Sequence, residues 1–167
     1  MPLIDHFIEE LKYEIPTTRK LLERVPEKDF DWKPHAKSMT MNQLASHIAE
    51  TFVWVGPIIA QDEMVMDMEQ YKPWLAKSTD DLLKSYDAYA AKVMEELQGV
   101  SDESLMKTWM LLIDDKPVLQ MPRIAALRGF ILKHIVHHRG QLTVYLRLRD
   151  VPLPQVYGPS ADDQGEY

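Results

Sequence analysis

Apolar side chains recur every three to four positions over four long stretches of the chain, and this spacing predicts four amphipathic helices. The first helix is predicted over residues 3–25. Pro16 is expected to kink it and leaves open a division into two shorter helices. The second helix is predicted to begin at Thr40, because the Thr40 hydroxyl and the Gln43 side chain have the spacing of a capping box.

The second half of the chain contains the other two predicted helices, over residues 78–99 and 122–149. Between them, residues 108–121 form two apolar runs around a polar turn, a pattern typical of a β-hairpin. Residues 61–77 show no periodicity and are predicted to be irregular. The predicted fold class is therefore all-α: a four-helix bundle with a short β-hairpin in the crossover before the last helix.

Length and composition indicate one domain. The chain has 167 residues, of which 46% are hydrophobic and 27% charged, enough for one compact core. We assign residues 1–160 to this domain and predict that residues 161–167 form a mobile C-terminal tail. The sequence contains no cysteine, which excludes disulfides, thiolate-ligated metals and a cysteine nucleophile.

The net charge of −7 argues against a protein that binds duplex nucleic acid, because such binding depends on clustered Lys and Arg. No segment is apolar over the length that a bilayer requires. The first ten residues lack both the basic start and the apolar core of a signal peptide. We therefore expect a cytoplasmic protein with no nucleic-acid or membrane partner.

Three histidines are the best candidates for chemistry. His134 and His138 lie one turn apart on the apolar face of the last predicted helix, so their rings project from the same side. His47 lies on or beside the apolar face of the second helix. If these helices are neighbours, three imidazoles can meet at one metal ion and leave coordination positions open for water or substrate. The alternative is a hydrogen-bonded group of core histidines.

The sequence leaves open the roles of four other polar residues. His137 lies beyond the edge of the apolar stripe, so we expect it to form a hydrogen bond rather than bind the metal. Glu50 follows His47 by one turn and is either an ordinary solvated charge or a group that orients a ligand or moves a proton. Arg139 and Gln141 either contact an anionic cosubstrate or brace the bundle.

The chain resembles the DinB/YfiT-like superfamily over nearly its whole length. The residues that carry the resemblance are His47, the run from His134 through His138-Arg139-Gly140-Gln141-Leu142, the connector Asp31-Trp32-Lys33-Pro34, and Val156-Tyr157-Gly158. Members are four-helix bundles, often dimeric, with a three-histidine site for a divalent metal. The resemblance implies that His47, His134 and His138 are the metal ligands. Zinc and nickel are the first choices and iron is a further one, since such a site suits several metals.

The resemblance also implies a reaction class. Characterised relatives include metal-dependent transferases of low-molecular-weight thiols and a thiol-dependent isomerase, which favours a metal-dependent thiol S-transferase with a small-molecule substrate and a homodimeric assembly. Two alternatives remain. One is a non-catalytic metal-binding or stress-associated helical bundle, and the weaker one is a metallohydrolase. The sequence assigns no catalytic residue.

Overall fold

Residues 1–165 are described by a computed structural model of the chain, and helices form most of it. The α-helices are α1 (Leu3–Leu22), α2 (Met41–Glu50), α3 (Val55–Ala60), α4 (Thr79–Glu96), α5 (Asp102–Met106), α6 (Arg123–Leu127) and α7 (His134–Arg147). Short 3₁₀ segments cover Glu27–Asp29 and Thr51–Trp54, and a π-helical segment covers Arg128–Lys133. The strands are β1 (Glu63–Met66), β2 (Thr108–Ile113) and β3 (Lys116–Pro122).

The helix boundaries follow local signals in the sequence. The predicted capping box is present at α2, where the Gln43 amide donates to the Thr40 hydroxyl at 3.2 Å and the Thr40 amide donates to Gln43 Oε1 at 2.8 Å. The Ser78 hydroxyl accepts from the Asp81 amide at the start of α4. Gly99, at φ 74°, lies just beyond the end of that helix.

Pro16 does not divide the first helix, because α1 is continuous from Leu3 to Leu22. Proline removes one backbone hydrogen bond there, while the buried face of the helix, including Phe7 and Leu11, stabilises the whole length. Packing therefore outweighs the local cost at this position.

The expected count of four helices is not what the structure shows. The second predicted helix is interrupted after Glu50 by a 3₁₀ segment before α3. Pro57 lies in the first turn of α3, where its missing N–H leaves no hydrogen bond unmade. The fourth predicted helix contains the π-helical segment between α6 and α7. Periodicity alone does not detect either irregularity, because the apolar spacing continues across both.

The predicted hairpin is also only part of the strand structure, since within residues 1–165 the sheet has three strands in the order β1-β2-β3. Strands β2 and β3 are antiparallel, and the turn residues Asp114 and Asp115 have φ values of 48° and 61°, as tight hairpin turns require. Strand β1, within the stretch expected to be irregular, pairs in parallel with β2. Strand β1 has only four residues and pairs with a strand more than 40 residues later, so no local pattern in the sequence indicates it.

Packing of the long helices places the candidate site. Helix α1 contacts α4 and α7, and α2 contacts the same two helices. The last long helical stretch and α2 are therefore neighbours, which is the condition for His47 to meet His134 and His138. None of the helices in residues 1–165 combines the length and the apolar character needed to cross a bilayer.

The last residues of the chain were predicted to be mobile. Asp162 and Asp163 accept backbone hydrogen bonds from Leu153 and Gln155. Residues 166–167 of the predicted tail lie outside the described part of the chain. Mobility of residues 161–167 stays a prediction.

Candidate metal centre

The three predicted histidines come together between α2 and α7. Ring centroids are 4.8 Å apart for His47 and His134, 4.7 Å for His47 and His138, and 4.5 Å for His134 and His138. One nitrogen of each ring lies within 4.8 Å of the others, so the group could hold a metal ion. All three side chains are half-buried. We call these residues the triad.

The donor set of the triad fits a divalent metal. His47 Nε2 and His134 Nε2 are 2.7 Å apart, so the N–H of one ring donates a hydrogen bond to the unprotonated nitrogen of the other. At a tetrahedral ion with Zn–N bonds of about 2.0–2.1 Å, two ligand nitrogens lie roughly 3.4 Å apart. The two Nε2 atoms would therefore need to move apart by less than about 1 Å to bind the same ion. Three imidazole nitrogens suit zinc, nickel, iron and copper.

Burial keeps two of the rings in the neutral form that metals bind. Burial and the neighbouring histidine rings lower the pKa of His134 from 6.5 to about 4. Burial also lowers the pKa of His138, although its hydrogen bond with Gln141 acts in the opposite direction. At neutral pH both rings therefore have a nitrogen lone pair available without first losing a proton.

Gln141 holds His138 in the tautomer whose Nε2 is free to bind a metal. Gln141 Oε1 lies 2.8 Å from His138 Nδ1, where it accepts the ring N–H and leaves Nε2 unprotonated. The other end of the amide, Nε2, lies 3.1 Å from His137 Nε2, which can accept from it. His137 is exposed and outside the triad, in agreement with the hydrogen-bonding role predicted for it.

Glu50 lies next to His47, as Gln141 lies next to His138. Its Oε1 lies 3.5 Å from His47 Nδ1 and 3.4 Å from the Tyr71 hydroxyl, and its side chain is only 16% exposed. Glu50 is thus not an ordinary solvated charge. Burial beside this carboxylate raises the pKa of Tyr71, so the phenol stays protonated at neutral pH.

Arg139 belongs to the scaffold rather than to the triad. Its guanidinium is buried, and Nη1 lies 2.6 Å from Glu14 Oε2 and 3.0 Å from the Thr18 hydroxyl of α1. The contact with Glu14 is an ion pair without the alignment of a hydrogen bond. The Tyr157 ring covers the guanidinium at 4.8 Å. Of the two roles left open by the sequence, the structure supports the brace.

Sequence reasoning did not identify several residues beside the triad. A cavity of about 100 Å³ is lined by His47, His134, Glu50, Thr51, Trp54 and Phe130. Trp54 and Phe130 stack with centroids 5.4 Å apart. Tyr71 comes from the stretch between β1 and α4, which is tied to α2 where the Ala76 amide donates to the Ser46 hydroxyl. Trp54 follows His47 by seven residues and Phe130 precedes His134 by four, so helical spacing could have indicated both, whereas nothing local connects Tyr71 with the histidines.

Fold and site thus describe a mostly helical protein with a three-histidine group that could hold a metal. The family model of the DinB family matches residues 1–166, and the chain belongs to this family. The uncharacterized protein YrdA of Bacillus subtilis (strain 168) is 23% identical over 164 residues, covering 98% of this chain and 93% of that protein.

Two solved structures share the fold. The crystal structure of a DinB-like protein, YjoA, from Bacillus subtilis aligns with a TM-score of 0.65 at 20% identity, covering 96% of this chain and 99% of that one. A DinB-like protein from Bacillus cereus ATCC 10987 aligns with a TM-score of 0.69 at 21% identity, covering 92% and 97% of the two chains. At these identities the likeness concerns the fold alone.

Proposed function

We propose that this protein binds one divalent metal ion through His47, His134 and His138 and is a metal-dependent transferase of low-molecular-weight thiols. The observation that carries the metal site is the convergence of three ring nitrogens within 4.8 Å of one another. Zinc or nickel are the first candidates, with iron as a further choice. The transferase activity rests on the family resemblance and on the open side of the triad.

The triad leaves room for a substrate on one side. His47 and His134 line the cavity of about 100 Å³ that also contains Glu50, a volume suited to a few non-hydrogen atoms. When bound, the ion supplies a Lewis acid that lowers the pKa of a thiol. The chain has no cysteine, so the sulfur nucleophile must come from a small molecule.

Glu50 is the residue best placed to move a proton in this reaction. Its carboxylate lines the same cavity as the two triad rings, so it can accept the proton that the thiol loses. In the transfer, a C–S bond forms between the thiol sulfur and an electrophilic carbon, and the bond from that carbon to its leaving group breaks. The leaving group takes the bonding electron pair, and Glu50 passes the proton to it or to water.

The setting of the reaction also remains part of the proposal. We assign the protein to the cytoplasm, with a small-molecule substrate, no nucleic-acid or membrane partner, and a homodimeric assembly, which is frequent in the superfamily that the chain resembles. The net charge of −7 supports the absence of a nucleic-acid partner.

The metal site is tested by elemental mass spectrometry on the purified protein without its tag, after reloading with Zn²⁺. We expect near-stoichiometric metal in the wild type and sharp loss in His47→Ala, His134→Ala and His138→Ala. His6→Ala and His137→Ala are the matched controls and should keep their metal, since neither residue belongs to the triad. Equal metal content in all variants would contradict the triad as the site.

The reaction is tested separately with 2-mercaptoethanol and 1-chloro-2,4-dinitrobenzene, which releases chloride when the C–S bond forms. We expect metal-dependent turnover that is lost in His47→Ala. A metal-dependent rise in melting temperature without any turnover would contradict the transferase and favour a non-catalytic metal-binding protein.

A further inference from the structure

Three cavities adjoin one another beside the triad. The cavity of about 100 Å³ shares His47 with a second of about 240 Å³, and shares Glu50 and Trp54 with a third of about 350 Å³. Tyr71 forms part of the wall between the second and the third. A molecule whose reacting end lies at the triad can therefore place its remaining atoms in the cavities that share these residues.

The charges on these walls have one sign. Glu50 and Asp67 line them, and no Lys or Arg is among the described side chains that do so. The cations Arg128 and Lys133 instead line a separate cavity between α1 and the π-helical segment, to which no triad residue contributes. A carboxylate or phosphate on the body of a substrate would lose water here without gaining a charged partner.

The other wall residues favour a positive charge. Trp54 and Phe130 form a stacked pair at the cavity beside the triad, and Tyr71 lies 3.4 Å from the Glu50 carboxylate. Aromatic faces next to a carboxylate are groups that bind organic ammonium ions. Glu50 is only 16% exposed, so solvent screens its attraction weakly. A bound divalent ion would attract the sulfur, and these walls would act on the rest of the molecule.

We infer that the cavities beside the triad select thiols with a cationic or uncharged body and reject thiols that have a carboxylate or phosphate. This inference rests on the proposed function and names its substrate class. Small aminothiols are the preferred substrates, and thiols with an acidic group are excluded.

The test uses the Co²⁺-loaded protein and three thiols that differ only at the end of a two-carbon chain: cysteamine, 2-mercaptoethanol and 3-mercaptopropionate. Thiolate-to-cobalt charge-transfer absorption gives each dissociation constant, corrected for the fraction of each thiol that is ionised. We expect the order cysteamine, 2-mercaptoethanol, 3-mercaptopropionate, with about a tenfold or larger difference between the first and the last.

Two variants test whether the residues lining the cavities cause the preference for cysteamine over 3-mercaptopropionate. Glu50→Gln should reduce the ratio between cysteamine and 3-mercaptopropionate several-fold, and its cobalt content is measured first because Glu50 lies beside His47. Gln70→Lys places a cation on the third cavity, away from the triad, and should strengthen the binding of 3-mercaptopropionate. Comparing this ratio between the wild type and each variant removes the intrinsic difference in sulfur basicity between the two thiols.

The possible results distinguish a failure of the charge selection from a failure of the proposed thiol chemistry. Equal or tighter binding of 3-mercaptopropionate by the wild type would overturn the charge selection and leave the proposed thiol chemistry standing. A cobalt-loaded protein whose spectrum none of the three thiols changes would overturn both. A ratio that Glu50→Gln and Gln70→Lys leave unchanged would also overturn the assignment to the walls.

Discussion

Helix α7 places polar side chains inside the protein on two of its faces. The two faces differ in the partners that the rest of the chain supplies. Arg139, which is 1% exposed, has an opposite charge in Glu14, a hydroxyl in Thr18 and an aromatic face in Tyr157. Glu14 in turn accepts from the Tyr157 hydroxyl at 2.7 Å. The chain itself therefore supplies partners for this buried charge, as a structural ion pair requires.

The triad is a group of three like bases. Its nearest carboxylate, Glu50, lies 3.5 Å from the His47 ring, and the rings contact mainly each other. Gln141 satisfies the outer nitrogen of His138, so the unprotonated nitrogen is left toward the centre of the group. The comparison shows that a buried charge with partners from its own chain serves stability, whereas three ring nitrogens within 4.8 Å of one another form a group that could hold a metal ion.

The largest effect should come from breaking the Arg139 pair. Arg139→Met leaves Glu14 buried without its cation and should lower the free energy of unfolding by about 3–5 kcal/mol. His138→Ala should change the stability of the metal-free protein by less than about 1 kcal/mol, because that ring is only half-buried. Urea unfolding of the metal-free variants measures both.

A double variant sharpens this result. Replacing both members of the pair, Arg139→Met with Glu14→Leu, should recover most of the lost stability, since no unpaired charge remains. If His138→Ala destabilised the metal-free protein more than Arg139→Met, the distinction between the two faces would be wrong.

A smaller effect is expected from Gln141. Gln141→Leu removes the acceptor for His138 Nδ1 and should weaken metal binding about 10- to 100-fold. Gln141→Glu keeps an acceptor at the same position and should retain most of the affinity. Competition with a chromophoric chelator measures the affinities, and the ¹⁵N shifts of the His138 ring in the metal-free protein report the tautomer. Unchanged shifts in Gln141→Leu would show that Gln141 does not set it.

The smallest effect is a pH dependence of the metal-free protein. The pKa of His134 is about 4 in the folded chain and near its ordinary value of 6.5 in the unfolded one, so below pH 6.5 the unfolded chain binds more protons. The stability contributed by the neutral ring is therefore fully present above pH 6.5 and decreases as the pH falls toward 4.

This dependence can be isolated with one variant. His134→Gln cannot titrate, so its stability should fall less than that of the wild type between about pH 7 and pH 5. Urea unfolding at both pH values gives the loss of stability for each protein. Subtracting the two losses cancels the contribution of the other titrating groups. Parallel pH profiles for the two proteins would contradict the lowered pKa of His134.

Local signals predicted much of the structure. The capping box at Thr40, the helix start at Ser78 and the hairpin over β2 and β3 depend on residues close together in the sequence, and the structure contains all three. The spacing of His134 and His138 similarly placed both rings on one face of a helix. These features follow from hydrogen bonds and periodicities within a few residues, which a single sequence displays directly.

Features that depend on long-range packing were missed or left undecided. Strand β1 pairs with β2 across a long separation, and the π-helical segment before His134 interrupts an apolar spacing that looks regular. The two options for Arg139 could not be separated, because its partner Glu14 lies on α1. Whether a charge is solvated or buried depends on which helix packs over it.

The sequence by itself determined the helical character of the chain, the starts of α2 and α4, the resemblance to the DinB family and the three histidines that could form a site. The tertiary structure alone decided that α2 and α7 are neighbours, so that His47 meets the other two rings. It also decided which polar side chains have partners within the chain and which carboxylates and aromatic rings line the cavities beside the triad. The physical reason is range: capping and periodicity act within a few residues, whereas burial and ion pairing depend on contacts between distant segments.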